Sequence, residues 1–467
     1  MNIPHISINA GFEQTLARIC ADAGVDVSGG IALAVSGGGD SMALAVLAAQ
    51  VLLPQGVKVK AYIVDHGLRP DARAEAEAAG RSLATLGIAH EILTWDGAKP
   101  QTDLQASARR ARYALLADAC RRDGFKILLT AHQAEDQMET FWMRLAHGSG
   151  IDGLAGMADL RVLAADVYVA RPLLAFTRDD LRGVCTAAGV DWAEDPSNEN
   201  DKFLRVRLRG FEQVLAGEGL TPQRLAQVMQ KMADAGTALE HTAAEKYAAV
   251  VGMYAAGYAQ IDTRALGVLP DDIARRVLSR VLCTIAPADY PPGFDMLEKL
   301  RRGFAGHGAG FDFTGVTAYG CDVGAADNAG YVLVLREAAA LPPPQKVTQE
   351  TQTWDARFVL SGLPQGLAGE DGESLTLAAL GVAGVAALRK QAAGEKSVLV
   401  ALEQLPGKVR AGLPALWLGE KLLSVPHLSW HDAAAAAVLV EGLAGVRVSF
   451  PAAEQNVLAA GDCFADG

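Results

Sequence analysis

The sequence predicts an α/β protein built on a doubly wound, mostly parallel sheet, followed by a mainly helical domain and a small mixed α/β domain. Two observations support this fold class. Short strand-forming runs alternate with helix-length segments over residues 31–217, and strands separated by helices are typical of parallel sheets. Polar residues that suit ligand binding also follow three of the predicted strands, where such sheets bind their ligands.

The alternation comprises five strands and five helices. The predicted strands cover residues 31–35, 59–64, 90–94, 127–130 and 167–170. The predicted helices cover residues 41–52, 72–86, 104–122, 135–145 and 178–188.

A change of pattern after the alternating segment predicts the domain boundaries. Thr221 and Pro222 suit the N-cap and the first position of a new helix. Three consecutive prolines within Leu341–Gln345 indicate a linker. We therefore expect domains at residues 1–216, 217–340 and 346–467.

Composition narrows the class of protein. The chain has 467 residues, half of them hydrophobic, which is enough for two or three cores. A net charge of −12 disfavours general nucleic-acid binding but permits a local basic surface. No apolar run reaches the roughly 20 residues that span a membrane, and the start lacks a signal-peptide pattern, so we expect a cytoplasmic protein. Six scattered cysteines without a CxxC pair disfavour metal or Fe–S ligation.

The most informative segment is a glycine-rich corner between the first predicted strand and helix. It contains Ser36, Gly37, Gly38, Gly39, Asp40 and Ser41. Consecutive glycines let backbone N–H groups approach an anion, and the start of a helix adds unpaired donors and partial positive charge. The segment therefore predicts a phosphate site, with Asp40 suited to holding Mg²⁺ against the phosphate. An ordinary strand–turn–helix corner is the alternative.

Two further positions suit nucleotide binding. Asp65 follows the second predicted strand and suits either a nucleotide's ribose or amino group or the N-cap of the next helix. Arg109 and Arg112 are three residues apart, on one face of a predicted helix. A guanidinium there can bind phosphate through two hydrogen bonds, although a solvated helix face is the commoner explanation.

An acidic motif follows the fourth predicted strand. His132, Asp136 and Glu139 are spaced i, i+4 and i+7, which predicts one helical face directed at the phosphate site. Two carboxylates with an imidazole suit a divalent metal or a cationic amine. An acidic first turn favoured by the helix dipole is the alternative.

Together these motifs resemble the tRNA(Ile)-lysidine synthetases, a family of PP-loop ATP pyrophosphatases with an adenine nucleotide alpha-hydrolase-like fold. The resemblance rests on SGGGDS, VDHGLRP, HQAEDQMET, GSGIDGLAGM and EDPSN, which occur in that order between Ser36 and Asn198. It continues to Arg209 and, more faintly, over residues 408–426. Three positions depart from the family pattern: His147 stands where Arg is usual, Glu135 where Asp is common, and Val206 within a usual Arg-Asn-Arg run.

The resemblance implies an ATP-dependent ligase that modifies a tRNA. The family adenylates the C2 oxygen of the wobble cytidine of a CAU-anticodon tRNA(Ile), and the amine of free L-lysine then displaces AMP to give lysidine. It implies catalytic roles for Asp40, Arg112, His132, Asp136 and Glu139, and lysine binding by Asp136 and Glu139. ATP would bind Ser36–Ser41 and Asp65, with Mg²⁺ on Asp40. The candidate tRNA contacts are Lys202, Arg205, Arg207 and Arg209, with Arg301 and Arg302 as a second group. A PP-loop tRNA thiolase that forms 2-thiocytidine is the alternative.

Overall fold

The computed structural model describes most of the chain. The described residues are 7–67, 72–96, 104–164, 166–193, 214–215, 217–288, 290–305, 316–326, 330–364, 374–433 and 443–452. The chain divides between Gly236 and Thr237 into two compact units. The three domain boundaries expected from the sequence stay predictions.

The first unit contains one sheet and the helices around it. Its strands are β1 (Ile31–Val35), β2 (Val59–Asp65), β3 (Ala89–Thr94), β4 (Ile127–Leu129), β5 (Leu160–Ala164) and β6 (Val167–Ala170). Its helices are α1 (Ile8–Asp22), α2 (Gly39–Val51), α3 (Ala72–Thr85), α4 (Leu104–Asp123), α5 (Ala134–Ala146), α6 (Ile151–Leu154) and α7 (Arg178–Ala188). Helix α8 (Pro222–Val250) begins in this unit and ends in the second.

The strand order of this sheet is β3-β2-β1-β4-β6-β5. All neighbouring strands run parallel except β5, which pairs antiparallel with β6. Strand β1 lies in the middle, with Leu33 beside Ala61 of β2 and Leu129 of β4. The chain order reverses between β1 and β4, and parallel sheets bind ligands beyond the carboxyl ends of strands at such a point.

Apolar residues on both sheet faces explain why the sheet is doubly wound. On one face Leu33 packs in a cluster with Leu44 and Leu47 of α2 and Leu181 of α7. Helix α2 is buried on nearly all sides, which is typical of a helix held between a sheet and another helix. On the other face, α4 packs its own apolar residues against Tyr62. The five predicted strands and five predicted helices are confirmed to within two residues at every end, whereas α1, α6 and β5 were not predicted.

The second unit combines helices with three antiparallel sheets. Its helices are α9 (Thr263–Gly267), α10 (Asp271–Ile285), α11 (Phe294–Ala305), α12 (Gly381–Gln391), α13 (Lys396–Gln404) and α14 (Gly407–Ala411). Its strands are β7 (Val251–Tyr254), β8 (Tyr258–Asp262), β9 (Val316–Ala318), β10 (Cys321–Ala325), β11 (Tyr331–Arg336), β12 (Gln345–Lys346), β13 (Gln352–Trp354), β14 (Phe358–Ser361), β15 (Leu375–Ala379), β16 (Pro414–Leu418), β17 (Lys421–Val425), β18 (Trp430–His431) and β19 (Arg447–Ser449). The strand orders are β7-β8-β11-β10-β9, β12-β15-β16-β17-β18 and β13-β14-β19.

The segment predicted to be mainly helical carries α8 to α11 and also the sheet with the strand order β7-β8-β11-β10-β9. Strand β11 lies within this segment, and β8 pairs with it from Tyr331↔Asp262 to Leu335↔Tyr258. No helix in the described part of the chain is long and apolar enough to cross a membrane.

Candidate active site

The glycine-rich corner forms a tight loop between β1 and α2. Gly37 has a φ of +89°, a backbone conformation that residues other than glycine rarely adopt. The hydroxyl of Ser41 accepts the Ser36 N–H at 3.2 Å and donates to the Gly38 carbonyl at 2.9 Å. These bonds hold the loop at the first turn of α2, where backbone N–H groups and the helix dipole favour an anion.

Asp40 lies in the first turn of α2 and is half-buried. The N-terminal end of the helix favours its negative charge. Its charge also interacts with Asp136 of α5 and raises the pKa of that residue. The structure therefore brings the loop after β1 and the helix after β4 close enough for electrostatic contact.

Asp65 ends β2 and is buried. Its Oδ1 accepts the Gly67 N–H at 2.9 Å, so the side chain closes a local turn. Helix α3 begins only at Ala72, so Asp65 is not its N-cap. The N-cap alternative is therefore wrong.

The acidic motif lies at the start of α5 and in the turn before it. Gln133 caps the helix in an extended conformation, with φ −130° and ψ −175°. His132 therefore precedes α5, and the prediction that it shares a helical face with Asp136 and Glu139 is wrong. Its Nδ1 lies 3.0 Å from the Thr130 hydroxyl, which orients the imidazole at the carboxyl end of β4.

Burial and nearby carboxylates perturb Asp136. Burial raises its pKa to about 6, and the charges of Glu139 and Asp40 act in the same direction. The Gln133 N–H donates to Asp136 at 3.1 Å and opposes that rise. Glu139 is itself buried. Two carboxylates three residues apart on one helix attract a cation, and a cationic amine is one candidate.

Glu135 has a different position from its acidic neighbours. Its carboxylate accepts the Arg178 N–H, with distances of 3.0 and 3.1 Å to the two oxygens. It thus binds the start of α7, where unpaired N–H groups favour a negative charge. The departure at this position, Glu for Asp, therefore concerns the packing of two helices.

Arg112 lies on α4, half-buried. Its guanidinium lies 5.3 Å from the ring centre of Tyr113, and that of Arg109 lies 5.2 Å from the same ring. Tyr113 packs against the same apolar cluster as Ala34 and Val64, which stand next to the ends of β1 and β2. Both guanidinium groups therefore lie against a ring that packs on the sheet.

Sequence reasoning missed the side chains that fix the GSGIDGLAGM segment, which follows α5. The Gln137 amide bonds both the N–H and the carbonyl of Met157, at 2.6 and 2.8 Å. Arg144 donates to the carbonyls of Gly153 and Gly156 at 3.0 and 2.8 Å. Directly after the segment, buried Arg171 donates to the Ala158 carbonyl at 2.6 Å. A side-chain amide paired with a distant backbone has no local sequence signal.

We expect Gln137→Leu to lower the free energy of unfolding by about 1–3 kcal/mol, because the Met157 N–H and carbonyl would lose their partners. Urea unfolding monitored by circular dichroism measures the change. The matched control is Gln230→Leu on the exposed face of α8, which should stay within about 0.5 kcal/mol of the unsubstituted protein. Equal effects of the two substitutions would show that the two bonds between the Gln137 amide and the Met157 backbone add nothing to stability.

Comparison with known proteins identifies the family. The PP-loop domain family matches residues 8–215. A tRNA(Ile)-lysidine synthase of Methylobacterium nodulans is 43% identical over 62% of this chain and 84% of its own length. The chain belongs to the tRNA(Ile)-lysidine synthase family. Relatives of the same name in Ruegeria pomeroyi (43% identical over 56% of this chain and 62% of that protein) and Hyphomonas neptunium (35% over 78% and 95%) agree.

Membership of the tRNA(Ile)-lysidine synthase family confirms the resemblance, the PP-loop fold class and the ligase class predicted from the motifs. The four candidate tRNA contacts of the first unit, Lys202, Arg205, Arg207 and Arg209, lie outside the described residues, as does the EDPSN motif. Arg301 and Arg302 are described, and both bond Glu298. Arg301 also pairs with Asp271, so the charge of this second group is largely compensated.

Cysteine placement bears on the thiolase alternative to lysidine synthesis. Five of the cysteines are buried and form no disulfide bond: Cys20, Cys120, Cys185, Cys283 and Cys321. Burial raises the pKa of Cys120 and Cys321 to about 12 and that of Cys185 to about 11. A thiol with so high a pKa is a poor nucleophile at neutral pH. Cys120, Cys185 and Cys321 therefore do not suit sulfur transfer.

The magnesium that PP-loop chemistry implies fits the residues at the loop. Among the described residues, no three acidic, histidine or cysteine side chains form a ready-made metal cage. Mg²⁺ in nucleotide sites is usually held by one or two carboxylates together with substrate phosphates and water. Asp40, in the first turn of α2 after the glycine-rich loop, supplies that kind of donor, and its charge acts on a second carboxylate, Asp136.

Proposed function

We propose that this protein joins free L-lysine to C2 of the wobble cytidine of tRNA(Ile) with a CAU anticodon. ATP is cleaved to AMP and pyrophosphate, and the lysidine formed changes decoding from AUG to AUA. The observation that carries the proposal is the pair of close carboxylates, Asp136 and Glu139, whose charges act together with Asp40 of the phosphate loop. This arrangement suits a reaction between a nucleotide phosphate and an amine.

Adenylation is the first step. The C2 oxygen of cytosine attacks the α-phosphorus of ATP, and the bond to pyrophosphate breaks. The N–H groups at the loop and at the start of α2 stabilise the departing charge, and Arg112 is the proposed guanidinium partner. Asp65 is the proposed contact to the ribose or amino group through the carboxylate oxygen that does not bond Gly67. Mg²⁺ held by Asp40 would neutralise phosphate charge when bound.

Lysine transfer is the second step. Asp136 and Glu139 hold the cationic amine and orient it towards C2. The amine attacks after it loses a proton, and AMP leaves with the C2 oxygen. Asp136, with a pKa of about 6, and His132, oriented by Thr130, are the candidate proton acceptors. A base with a pKa near the working pH is best suited to this role.

The tRNA must deliver one unstacked base to this site. Lys202, Arg205, Arg207 and Arg209 are the proposed phosphate contacts, because a chain with a charge of −12 needs a local basic segment to bind RNA. Single-stranded loop bases are read after they leave their stack. The second unit is the proposed contact to the tRNA body, and location in the cytoplasm stays a prediction.

Nucleoside mass analysis tests the proposal. The protein is incubated with ATP, Mg²⁺, free lysine and unmodified CAU-anticodon tRNA(Ile), and the tRNA is digested. We expect a lysine–cytidine adduct that is absent when either lysine or ATP is omitted. Unmodified cytidine under all conditions, with AMP still produced, would refute lysidine synthesis. A sulfur adduct formed with a persulfide donor would instead support the thiolase alternative.

A further inference from the structure

Trp192 packs against the glycine-rich loop between β1 and α2. If Gly39 carried a Cβ, that atom would lie 3.3 Å from Cδ1 and 3.4 Å from Nε1 of the indole. Because a Cβ would lie almost equally far from Cδ1, Nε1 and Cγ, the pyrrole ring, which carries the N–H, packs over the first residue of α2. The close approach favours glycine at this position, since a methyl group would have to shift the indole by a few tenths of an ångström.

Backbone contacts fix the segment that carries Trp192. The Ala193 N–H donates to the Gly37 carbonyl at 3.0 Å, and Ala193 forms a parallel bridge with Gly38. The Cys185 thiol lies 3.5 Å from the Gly39 carbonyl. Residues before and after Trp192 in the sequence thus contact the loop. The position of the indole therefore does not depend on side-chain packing alone.

The indole N–H of Trp192 can act as a donor to a ligand. An indole has one hydrogen-bonding group, which donates and never accepts. Trp192 is partly exposed, whereas the indole nitrogens of Trp142, Trp354 and Trp417 are enclosed by protein atoms. Backbone N–H groups at the start of α2 favour an anion at the same place, and a further N–H donor suits that anion.

We propose that Trp192 is a nucleotide-binding residue whose indole N–H donates to a phosphate oxygen of ATP held at the start of α2. The inference rests on the proposed use of ATP at this loop. It adds a donor from the segment after α7 to the donors of the loop itself. The ring also covers Gly39 and limits the access of water to the bound phosphates.

The substitution Trp192→Phe removes the N–H and keeps an aromatic ring against Gly39. Binding of α,β-methylene-ATP with Mg²⁺ is measured by titration calorimetry on the full chain. We expect the dissociation constant to rise about tenfold, because a hydrogen bond to a charged group is lost. Trp417→Phe, in the second unit, is the matched control and should leave the dissociation constant unchanged. Equal melting temperatures of the two variants exclude a folding defect.

A second measurement uses Gly39. Gly39→Ala shifts the indole by a few tenths of an ångström and should also weaken analogue binding. The effects of Gly39→Ala and Trp192→Phe should be less than additive when combined. Unchanged affinity in Trp192→Phe, or fully additive effects, would overturn the proposal. A protein that binds the analogue yet makes no lysidine would refute the proposed function and leave the comparison of these variants valid.

Discussion

Replacing Glu139 by Gln is expected to lower kcat/KM for lysine by about 100-fold, because charge-assisted hydrogen bonds to the ammonium are lost. Glu139 is buried and acts electrostatically with Asp136, so the amide leaves the ammonium with one carboxylate. Adenylation should continue, since Asp40 and the glycine loop are unchanged. Quantifying lysidine and adenylated tRNA in the same reactions separates the two steps.

The matched control for this prediction is Glu135→Gln. Glu135 lies in the same acidic turn, but its carboxylate bonds the Arg178 N–H, and Gln retains an acceptor for that bond. Its kinetic constants for lysine should stay within about twofold of those of the unsubstituted protein. Wild-type values in Glu139→Gln would show that this carboxylate does not bind lysine.

Replacing Asp136 by Asn is expected to stabilise the protein at pH 8 while it lowers activity. The folded protein raises the pKa of Asp136 from 3.8 to about 6, so the folded state binds the proton more tightly than the unfolded state. That contribution to stability is present below about pH 4 and is lost as the pH rises through about 6. Each unit of pKa difference between the folded and unfolded states corresponds to about 1.4 kcal/mol, so the ionised carboxylate costs about 3 kcal/mol at pH 8.

Asn removes this cost and retains an oxygen that accepts the Gln133 N–H. Urea unfolding at pH 8 should therefore show a gain of about 1–3 kcal/mol, which shrinks towards zero as the pH falls to 4. Asp118→Asn, on the exposed face of α4, is the control and should change stability by less than about 0.5 kcal/mol at either pH. A gain that does not depend on pH would contradict a raised pKa for Asp136.

The fold of the first unit could be predicted because its signals are local. The apolar run of β1, the glycines after it and the buried pattern of α2 each indicate one element. Strand β5 was missed because its residues are only partly buried and it forms an antiparallel edge. In the second unit, β8 pairs with β11 across about 70 residues of sequence. No local pattern shows such pairing.

The candidate site could be predicted in part. The glycines predicted the loop at the start of α2, and spacing predicted that Asp136 and Glu139 lie together on α5. The roles of these residues stay predictions. Spacing failed for His132 because Gln133 caps α5 and the preceding chain is extended. Trp192 and Gln137 were missed because they act on residues about 153 and 20 positions away, at Gly39 and Met157. Contacts of this kind depend on tertiary structure, which residue patterns alone do not encode.

The position of β1 between β2 and β4 also has a consequence for synthesis on the ribosome. About 90 residues separate the end of β1 from the start of β4. At translation rates of about 5–20 residues per second, one edge of β1 lacks its partner strand for about 5–20 seconds. During that interval the nascent chain exposes a strand made entirely of apolar residues, the kind of edge that chaperones protect from aggregation.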